Sequence, residues 1–350
     1  MMARQSIFAA AAFLLLAGTG HARAGGKLWL NEDDIMSLRK QPARTAGLIQ
    51  RCDKELGMVA TPSPDLAPPP HYSAAGVVHD DTAKAFVDDG RRAFRAGLCY
   101  LLSQDQRYAK ASQAALSAWG NTLRTVSSDQ GVAEVNFNLE YYVLAASMVR
   151  GVNGWNDESF RRMLTKVALP LATKHKNNHQ NWEVFRDASI AAYLGDAGLL
   201  ERARERWLQL MENQVAADGS LPLETCRSDT NNYCGGDHQG INGISYTHYT
   251  LMPTTAAARI FELQGRAVWQ TPQGARLAAA YRKAASWTLH PETFPYYASN
   301  GGKLNGVSNA AYFLLLQRQY PNDDAAQVIR AGRLSMDTLE WQLLFGGAVQ

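Results

Sequence analysis

The sequence offers little from which to build a sheet. Alternating runs rich in Val, Ile and Thr and bounded by turn residues are nearly absent, so a fold based on strands is not expected. After the first residues, no apolar segment approaches the roughly 20 residues that cross a bilayer, and we do not expect an integral membrane protein. No repeat of fixed period with matching residues is found, which disfavours an open solenoid.

The sequence also lacks a large excess of charge of either sign. The 350 residues include 35 Lys and Arg against 32 Asp and Glu, and two of the basic residues, Arg4 and Arg23, lie in a segment that we expect to be removed. Such a near-neutral chain is not built as a general binder of polyanions, and a nucleic-acid partner is not expected. An anionic ligand would need positive groups gathered in one site.

Residues 1–24 have the pattern of a secretory signal peptide. Arg4 precedes an apolar run, Ile7 to Leu16, which is too short to span a bilayer, and Ala22-Arg23-Ala24 is a small-x-small cleavage motif. No Cys follows the run, so a lipid anchor is not expected. We predict cleavage after Ala24, a periplasmic or secreted protein, and one domain over residues 25–350.

Four cysteines in an exported chain predict two disulfides. Three pairings are possible. Cys226 with Cys234 would close a short loop and leave Cys52 to pair with Cys99, which is the pairing that we predict. Two bridges in a chain of this length restrain loops and do not replace a core.

A helical period dominates from residue 32 onward, so the predicted fold class is all-α. Asn31 can cap a first helix that has three acids in its first turn. Further helices are predicted at about 81–103, 105–124, 133–150, 157–174, 180–194, 197–214, 243–264, 275–289, 306–318 and 323–335. Glycines at positions 151, 195 and 265 mark expected helix exits. Antiparallel helix pairs of this kind form either an open solenoid or an (α/α) toroid.

Two long segments have no predicted regular structure. Residues 61–78 contain the run Pro68-Pro69-Pro70 before His71-Tyr72, and a proline run stiffens a chain into an extended form suited to a lid. Residues 225–242 are rich in Asn, Asp and Gly and contain the Cys226 and Cys234 pair. Long loops are more often functional than idle, although a solvated linker is an alternative for each.

A polar run at residues 177–182, Asn-Asn-His-Gln-Asn-Trp, lies at the start of a predicted helix. Donors at a helix N-terminus suit a carboxylate because the positive end of the helix dipole lies behind them. Trp182 is three residues after His179, and its ring could stack on a sugar from the same side. The alternative is that Asn178 merely caps the helix and His179 satisfies a local carbonyl group.

Tyr246 and Tyr249 are one turn apart on the next long helix, so both can point into one space. A phenol with a pKa near 10 needs nearby positive charge to act as a base. Arg227 could supply that charge if its loop folds back toward Tyr246. The alternative is that both rings are core aromatics with tethered hydroxyl groups.

In order and wording these segments resemble the alginate lyases of polysaccharide lyase family 5. That family has an Asn-Asn-His-x-x-Trp motif, a Gly-x-Leu-Pro-x-Glu stretch, an arginine and a Tyr-x-x-Tyr helix. The matching positions here are 177–182, 219–224, Arg227 and 246–249. The resemblance covers about residues 60–265 and implies the (α/α) toroid.

The resemblance also implies a reaction, the β-elimination of a uronic acid polymer. Asn178, His179 and Arg227 would neutralise the sugar carboxylate, and Tyr246 would take the C5 proton and return one to the glycosidic oxygen. The Pro-rich segment ending in Tyr72 resembles the family's lid. The expected substrate-binding residues are Tyr72, Trp182, His248 and Tyr249. We expect an anionic polysaccharide as partner, no cofactor or metal, and a monomer.

The chain departs from the family pattern in two places. About a dozen residues, Asp229 to Asn242, are inserted between the arginine and the tyrosines, so whether Arg227 or another arginine fills the family position is open. Asn181 replaces an aromatic residue, and His248 stands where the family has Asn. These changes suggest an altered preference, for example glucuronan or another polyuronate in place of mannuronate-rich alginate.

Three other functions are compatible with the sequence. A glycoside hydrolase would need two carboxylates across a cleft, with candidates at Glu140, Glu183, Asp187, Asp218 and Glu224. A metal site could combine His175 and His179 with Asp237 and His238. A non-catalytic binder of acidic polysaccharide would keep the aromatic residues and Arg227 and would not need Tyr246 as a base.

Overall fold

A computed structural model describes residues 28–72, 80–231, 233–334 and 339–347. The predicted signal peptide and its cleavage site lie outside the described residues. The α-helices are α1 Glu32–Arg39, α2 Pro42–Glu55, α3 Asp81–Ser103, α4 Gln106–Thr122, α5 Asp129–Val149, α6 Glu158–Met163, α7 Asn178–Leu194, α8 Ala197–Gln214, α9 Pro222–Thr225, α10 Gly243–Leu263, α11 Pro272–Leu289, α12 Phe313–Gln319, α13 Asp323–Arg330 and α14 Leu339–Gly346.

The long predicted helices are confirmed, and their capping residues explain where they begin and end. Asn31 accepts a hydrogen bond from the Asp34 N–H in a capping box at α1. Helix α7 ends at Gly195, which has a φ of 74° and adopts the left-handed conformation that favours glycine. These local signals fix boundaries because each one satisfies a backbone group that the helix itself leaves unpaired.

Three predicted helices are wrong over part of their length. The helix predicted at 157–174 ends as α6 at Met163, continues as one π turn over Leu164–Ala168, and then becomes irregular up to Asn177. The helix predicted at 306–318 begins only at Phe313, and the helix predicted at 323–335 ends at Arg330. In each case apolar side chains pack from turns and loops, so the helical spacing of apolar residues extends further than the helix.

The helices form two rows of antiparallel pairs. Helices α3, α5, α7 and α10 pack side by side in that order as an inner row. Their partners α4, α6, α8 and α11 pack on the outside, where α4 contacts α6 and α8 contacts α11. Helices α5, α7 and α10 of the inner row are buried on most faces, whereas α3 and α8 are amphipathic with one exposed face. This arrangement leaves the ends of the inner helices to line a central cleft.

The proline-rich segment crosses toward this cleft. Its residues Asp65–Leu66 (β1) pair in parallel with Thr125–Val126 (β2), just before α5. Ser128 donates a hydrogen bond to the Pro68 carbonyl oxygen. Residues 73–79 of the predicted lid lie outside the described part of the chain.

Both predicted disulfides are confirmed. Cys52 and Cys99 join α2 to α3 in the core, and Cys226 and Cys234 close the inserted loop. One buried apolar cluster includes residues from Leu28 to Phe345. Among the described residues, no helix combines the length and the hydropathy that crossing a membrane requires.

Candidate active site

A cleft of about 420 Å³ opens at the ends of the inner helices. Five of the predicted site residues line it: Asn178 and His179 from α7, Tyr246 and Tyr249 from α10, and Tyr72 from the proline-rich segment. The structure therefore brings together side chains that are far apart in sequence, because each inner helix presents one end to the same space.

The N-terminus of α7 is held by a buried carboxylate of the protein itself. Asn177 caps the helix, and the Asn178 backbone N–H donates to Glu224 Oε1 at 2.6 Å. Asn178 Nδ2 donates to Glu224 Oε2 at 3.1 Å, while Asn178 Oδ1 has no hydrogen-bond partner among the described residues. The sequence predicted these backbone donors for a substrate carboxylate. Glu224 occupies that position instead, and one Nδ2 hydrogen of Asn178 is left for a ligand.

Glu224 also pairs with Arg227. Arg227 Nη1 lies 3.3 Å from Glu224 Oε2, and both side chains are almost completely buried. Burial raises the pKa of Glu224 to about 7, against the opposing effects of Arg227 and the Asn178 donors. No local sequence pattern predicts this positioning role, because Asn178 lies 46 residues from Glu224 and the pairing with Arg227 depends on how the loop folds.

Arg227 lies behind Tyr246 and is not part of the cleft wall. Its guanidinium carbon is 3.6 Å from the centroid of the Tyr246 ring, and its Nε and Nη2 atoms have no hydrogen-bond partner among the described residues. The inserted loop fixes this position, since the Arg227 backbone bridges to Cys234 and its carbonyl oxygen accepts from the Asn242 N–H. The loop therefore folds back toward Tyr246, which is the condition under which Arg227 can supply positive charge to the phenol.

The Tyr246 phenol is half-buried, and its raised pKa favours the protonated form. Burial raises its pKa above the ordinary value, and the neighbouring Arg227 opposes that rise. Its hydroxyl group lies 3.0 Å from the Tyr72 hydroxyl group. Tyr72 thus connects the proline-rich segment directly to the predicted catalytic oxygen.

His179 is a neutral imidazole at ordinary pH. Burial, followed by the charges of His175 and Arg227, lowers its pKa to about 3. Its ring packs against Phe137 at 4.8 Å and His175 at 4.4 Å between centroids. Its Nδ1 has no hydrogen-bond partner among the described residues. His179 can therefore offer or accept a hydrogen bond, but it brings no positive charge of its own.

Two predicted substrate-binding residues lie away from the cleft surface. Trp182 is 3% exposed and packs between Phe137 and Tyr249. His248 is fully buried, with its ring nitrogens bonded to Tyr312 and to the Val307 carbonyl oxygen, and burial lowers its pKa to about 4. Contact between either side chain and a substrate stays a prediction.

The cleft wall includes polar residues that the sequence analysis did not single out. They are Arg91 from α3 and Gln130, Glu134 and Asn138 from α5. The signal was present as polar side chains on an otherwise apolar helix, because Glu134 and Asn138 are four residues apart and share one face of α5. Phe137, on the same helix, packs against His179 and Tyr249.

The structure also bears on two of the alternative functions, the glycoside hydrolase and the metal site. The carboxylates proposed for a hydrolase do not line this cleft, and Glu134 is the one acid on its wall within the described residues. His238, needed for the metal site, is exposed and 3.4 Å from Asp229. No cluster of three or more His, Cys, Asp or Glu side chains able to hold a metal is found in the described part of the chain.

Comparisons with known proteins agree on one family. The family described as alginate lyase matches residues 59–294. A search of curated proteins gives no match. Among solved structures, an alginate lyase from Bacteroides ovatus is 13% identical with a TM-score of 0.68, covering 93% of this chain and 100% of that one.

Alginate lyase A1-III from Sphingomonas species A1 is 18% identical with a TM-score of 0.58, covering 77% of this chain and 82% of that one. A variant of A1-III complexed with a tetrasaccharide is 15% identical with a TM-score of 0.66, covering 90% and 96%. At these identities the likeness shows the fold, and the predicted (α/α) toroid is confirmed. Since the family match spans more than half of the sequence, the chain belongs to the alginate lyase family and is a polysaccharide lyase.

Proposed function

We propose that the protein is an exported lyase that cleaves a uronic acid polymer by β-elimination. The substrate would be alginate rich in mannuronate or a related polyuronate such as glucuronan. The observation that carries this proposal is the meeting of Asn178, His179 and Tyr246 on one cleft, with Arg227 against the Tyr246 ring. Export rests on the predicted signal peptide, residues 1–24.

Neutralisation of the sugar carboxylate comes first. The proton at C5 is weakly acidic because removing it places a second negative charge beside the carboxylate, so stabilising that charge should be the largest catalytic contribution. Asn178 can donate its remaining Nδ2 hydrogen, and His179 can donate a ring N–H. The buried Arg227 would add positive charge from behind Tyr246.

Elimination then moves one proton in each direction. The C5–H bond breaks as the Tyr246 phenolate takes the proton, and its electron pair forms the double bond between C4 and C5. The C4–O bond breaks, and Tyr246 returns the proton to the leaving oxygen. Arg227 favours the phenolate that this cycle needs, because a cation 3.6 Å from the ring stabilises negative charge on it.

The pKa shifts of Tyr246 and His179 favour a second division of roles. The raised pKa of Tyr246 favours its protonated form, which can act as an acid, whereas the lowered pKa of His179 favours the neutral imidazole, whose Nδ1 has no hydrogen-bond partner among the described residues. In that version His179 takes the C5 proton and Tyr246 protonates the leaving oxygen. The two versions differ in their pH dependence, and that difference separates them experimentally.

The remaining predicted residues would support these groups. We propose that Tyr72 closes over the bound chain and orients the Tyr246 hydroxyl group through their 3.0 Å contact. Tyr249 would contact the sugar from the cleft wall. Trp182 and His248 would act from the core, by holding Tyr249 and α10 in place.

A substrate panel tests the reaction. Poly-mannuronate, poly-guluronate, poly-glucuronate and hyaluronan would be incubated with the purified protein, and ultraviolet absorbance of the unsaturated product would be followed. We expect absorbance to rise with at least one polymer and Tyr246→Phe to abolish the rise. Tyr108→Phe is the matched control. Tyr108 is a buried tyrosine of the outer helix α4, and the substitution removes the hydroxyl group that donates to Asp53.

Several results would contradict the proposal. New reducing ends without absorbance would indicate hydrolysis, and binding without cleavage would indicate a non-catalytic binder. Full activity in Tyr246→Phe would remove Tyr246 from the mechanism.

A further inference from the structure

The inserted loop, residues 229–242, carries an exposed aromatic ring. Tyr233 is 60% exposed, whereas every other Phe, Tyr and Trp in the described part of the chain is buried or half-buried. Exposure of a single ring does not by itself mark a binding site. This ring is distinguished by the way in which it is held and by its distance from the cleft.

Both the backbone and the hydroxyl group of Tyr233 are fixed. Its N–H donates to Asn231 Oδ1 at 2.7 Å, and Asn231 Nδ2 donates to the Gly235 carbonyl oxygen at 3.1 Å. The next residue, Cys234, belongs to the disulfide that closes the loop. The Tyr233 hydroxyl group lies 2.9 Å from His175 Nδ1. Because the ring is held before a ligand arrives, packing a ligand on it costs little conformational entropy.

The Tyr233 ring lies close to the reacting groups. Its centroid is 5.7 Å from that of His175, and the His175 centroid is 4.4 Å from that of His179. The Tyr233 ring is therefore at most about 10 Å from His179, which lines the cleft. His175 and His179 also line one smaller pocket beside the cleft. A polymer that extends from the cleft in this direction places a sugar one or two positions from the reacting uronate against the Tyr233 ring.

The segment that contains His175 carries positive charge. Lys174 and Lys176 flank His175 in the sequence, and both are exposed. Lys174 Nζ pairs with Asp129 Oδ1 at 2.9 Å, while no ion pair of Lys176 is found among the described residues. A cation in this segment favours a sugar that carries a carboxylate over a neutral one.

We propose that Tyr233 forms a binding subsite at the rim of the cleft, in which its ring packs against the apolar face of a neighbouring uronate of the same polymer. An aromatic ring offers a large apolar face for such a contact, and His175 holds the ring through its hydroxyl group. The subsite lies in the insertion, where the chain departs from the family pattern. This inference rests on the proposed lyase function and adds a binding position to it.

Calorimetry in a Tyr246→Phe background measures binding without turnover. The ligands would be the hexasaccharides of mannuronate and of glucuronate. We expect Tyr233→Ala to weaken binding of the more tightly bound hexasaccharide about tenfold, because the packed ring is lost. Tyr233→Phe keeps the ring and should weaken binding by about twofold or less.

Tyr100→Ala is the matched control. Tyr100 is a half-buried tyrosine of α3, nine residues beyond Arg91 on the cleft wall and therefore roughly 13 Å away along the helix axis. Its substitution should leave the hexasaccharide affinity as it is in the background variant.

Kinetics separate a subsite from a positioning role. With Tyr246 intact, Tyr233→Ala should raise KM for the preferred polymer about tenfold and leave kcat within about twofold. If the Tyr233 hydroxyl group served instead to position His175 against His179, kcat would fall in both Tyr233→Ala and Tyr233→Phe while the hexasaccharide affinity stayed the same.

That result, equal weakening of binding by the Ala and Phe variants, or no binding of either hexasaccharide would overturn the inference. Binding that depends on Tyr233, without elimination from any polymer, would refute the proposed reaction and leave the subsite standing.

Discussion

The guanidinium carbon of Arg227 lies 3.6 Å from the centroid of the Tyr246 ring, and Glu224 is the acid paired with that arginine. Burial and positive charge act on Tyr246 in opposite directions. Burial alone would hold the phenol protonated, and Arg227 is the nearby group that makes the phenolate accessible. The catalytic tyrosine that we propose thus depends on a residue that does not line the cleft.

Replacing Arg227 should therefore affect turnover more than substrate binding. We expect Arg227→Ala to lower kcat by about a hundredfold or more, with a smaller change in KM. Arg227→Lys should retain part of the activity, because an ammonium group keeps the charge but loses the planar face over the ring. Steady-state kinetics on the preferred polymer measure both parameters.

Arg186→Lys is the control for Arg227→Lys. Arg186 is also almost completely buried and donates to Asn136 Oδ1 at 2.6 Å, so the substitution tests the general cost of altering a buried arginine. Equal loss of kcat in Arg186→Lys and Arg227→Lys, at equal thermal stability, would contradict a specific role for Arg227.

Glu224 should make the stability of the protein depend on pH. Its folded-state pKa is raised from 4.5 to about 7, so the folded protein binds more protons than the unfolded chain between those values. Stability should therefore fall as the pH rises from about 4.5 to about 7, by about 3 kcal/mol from this group. Glu224→Gln should remove that part of the slope, as measured by denaturant unfolding at several pH values.

The same variant should also reduce activity. The two carboxylate oxygens of Glu224 accept from the Asn178 N–H and from Asn178 Nδ2, whereas Gln has a single side-chain oxygen to accept with. Arg227 would also lose its counter-ion. We expect kcat to fall about tenfold or more because Asn178 and Arg227 are less well positioned. An unchanged pH slope with unchanged kcat would show that Glu224 neither titrates in this range nor positions these residues.

The sequence predicted the parts of this site that depend on local spacing. Tyr246 and Tyr249 line one cleft because they are one turn apart on a continuous helix, and the pairing of Cys226 with Cys234 follows from the short loop between them. The bounds of α3 and α8 were also predicted, since an amphipathic helix with one exposed face gives a clear period.

Periodicity could not place side chains on helices buried on several faces. Helix α7 belongs to the inner row, so its spacing does not distinguish the cleft from the core. Trp182 was expected beside His179 at the cleft and lies in the core instead. The position of Glu224 beneath α7 is likewise set by tertiary packing across 46 residues, which no local pattern encodes.

The pH profile of kcat/KM should identify the base. If the Tyr246 phenolate takes the C5 proton, activity rises with pH through the neutral and alkaline range, because the pKa of Tyr246 is raised. If His179 is the base, activity is flat above about pH 4, because its pKa is about 3, and it declines only where Tyr246 loses its proton. Tyr72→Phe provides a check in the first case.

Tyr72 raises the pKa of Tyr246 through their hydrogen bond. Tyr72→Phe should therefore move the alkaline limb of the kcat/KM profile to lower pH. A limb that stays in place in Tyr72→Phe would show that the titrating group is not Tyr246. A limb that moves to higher pH would contradict the direction of the hydrogen-bond effect.

The two disulfides should separate stability from activity. The bridge between Cys52 and Cys99 lies in the core and closes a loop of 47 residues, so Cys52→Ser with Cys99→Ser should cost about 2–5 kcal/mol of stability and leave kcat nearly unchanged at low temperature. The bridge between Cys226 and Cys234 is more exposed and adjoins Arg227.

Cys226→Ser with Cys234→Ser should therefore have the opposite effect. Loss of this bridge frees the backbone that holds Arg227 under Tyr246, and kcat should fall about tenfold with little change in thermal midpoint. Mild reduction of the unaltered protein should reproduce the loss, because the exposed bridge is accessible to a thiol while the core bridge is not. If the double variant kept full kcat, the inserted loop would not be what positions Arg227, and the Arg227–Glu224 pair alone would have to hold the guanidinium group against the ring.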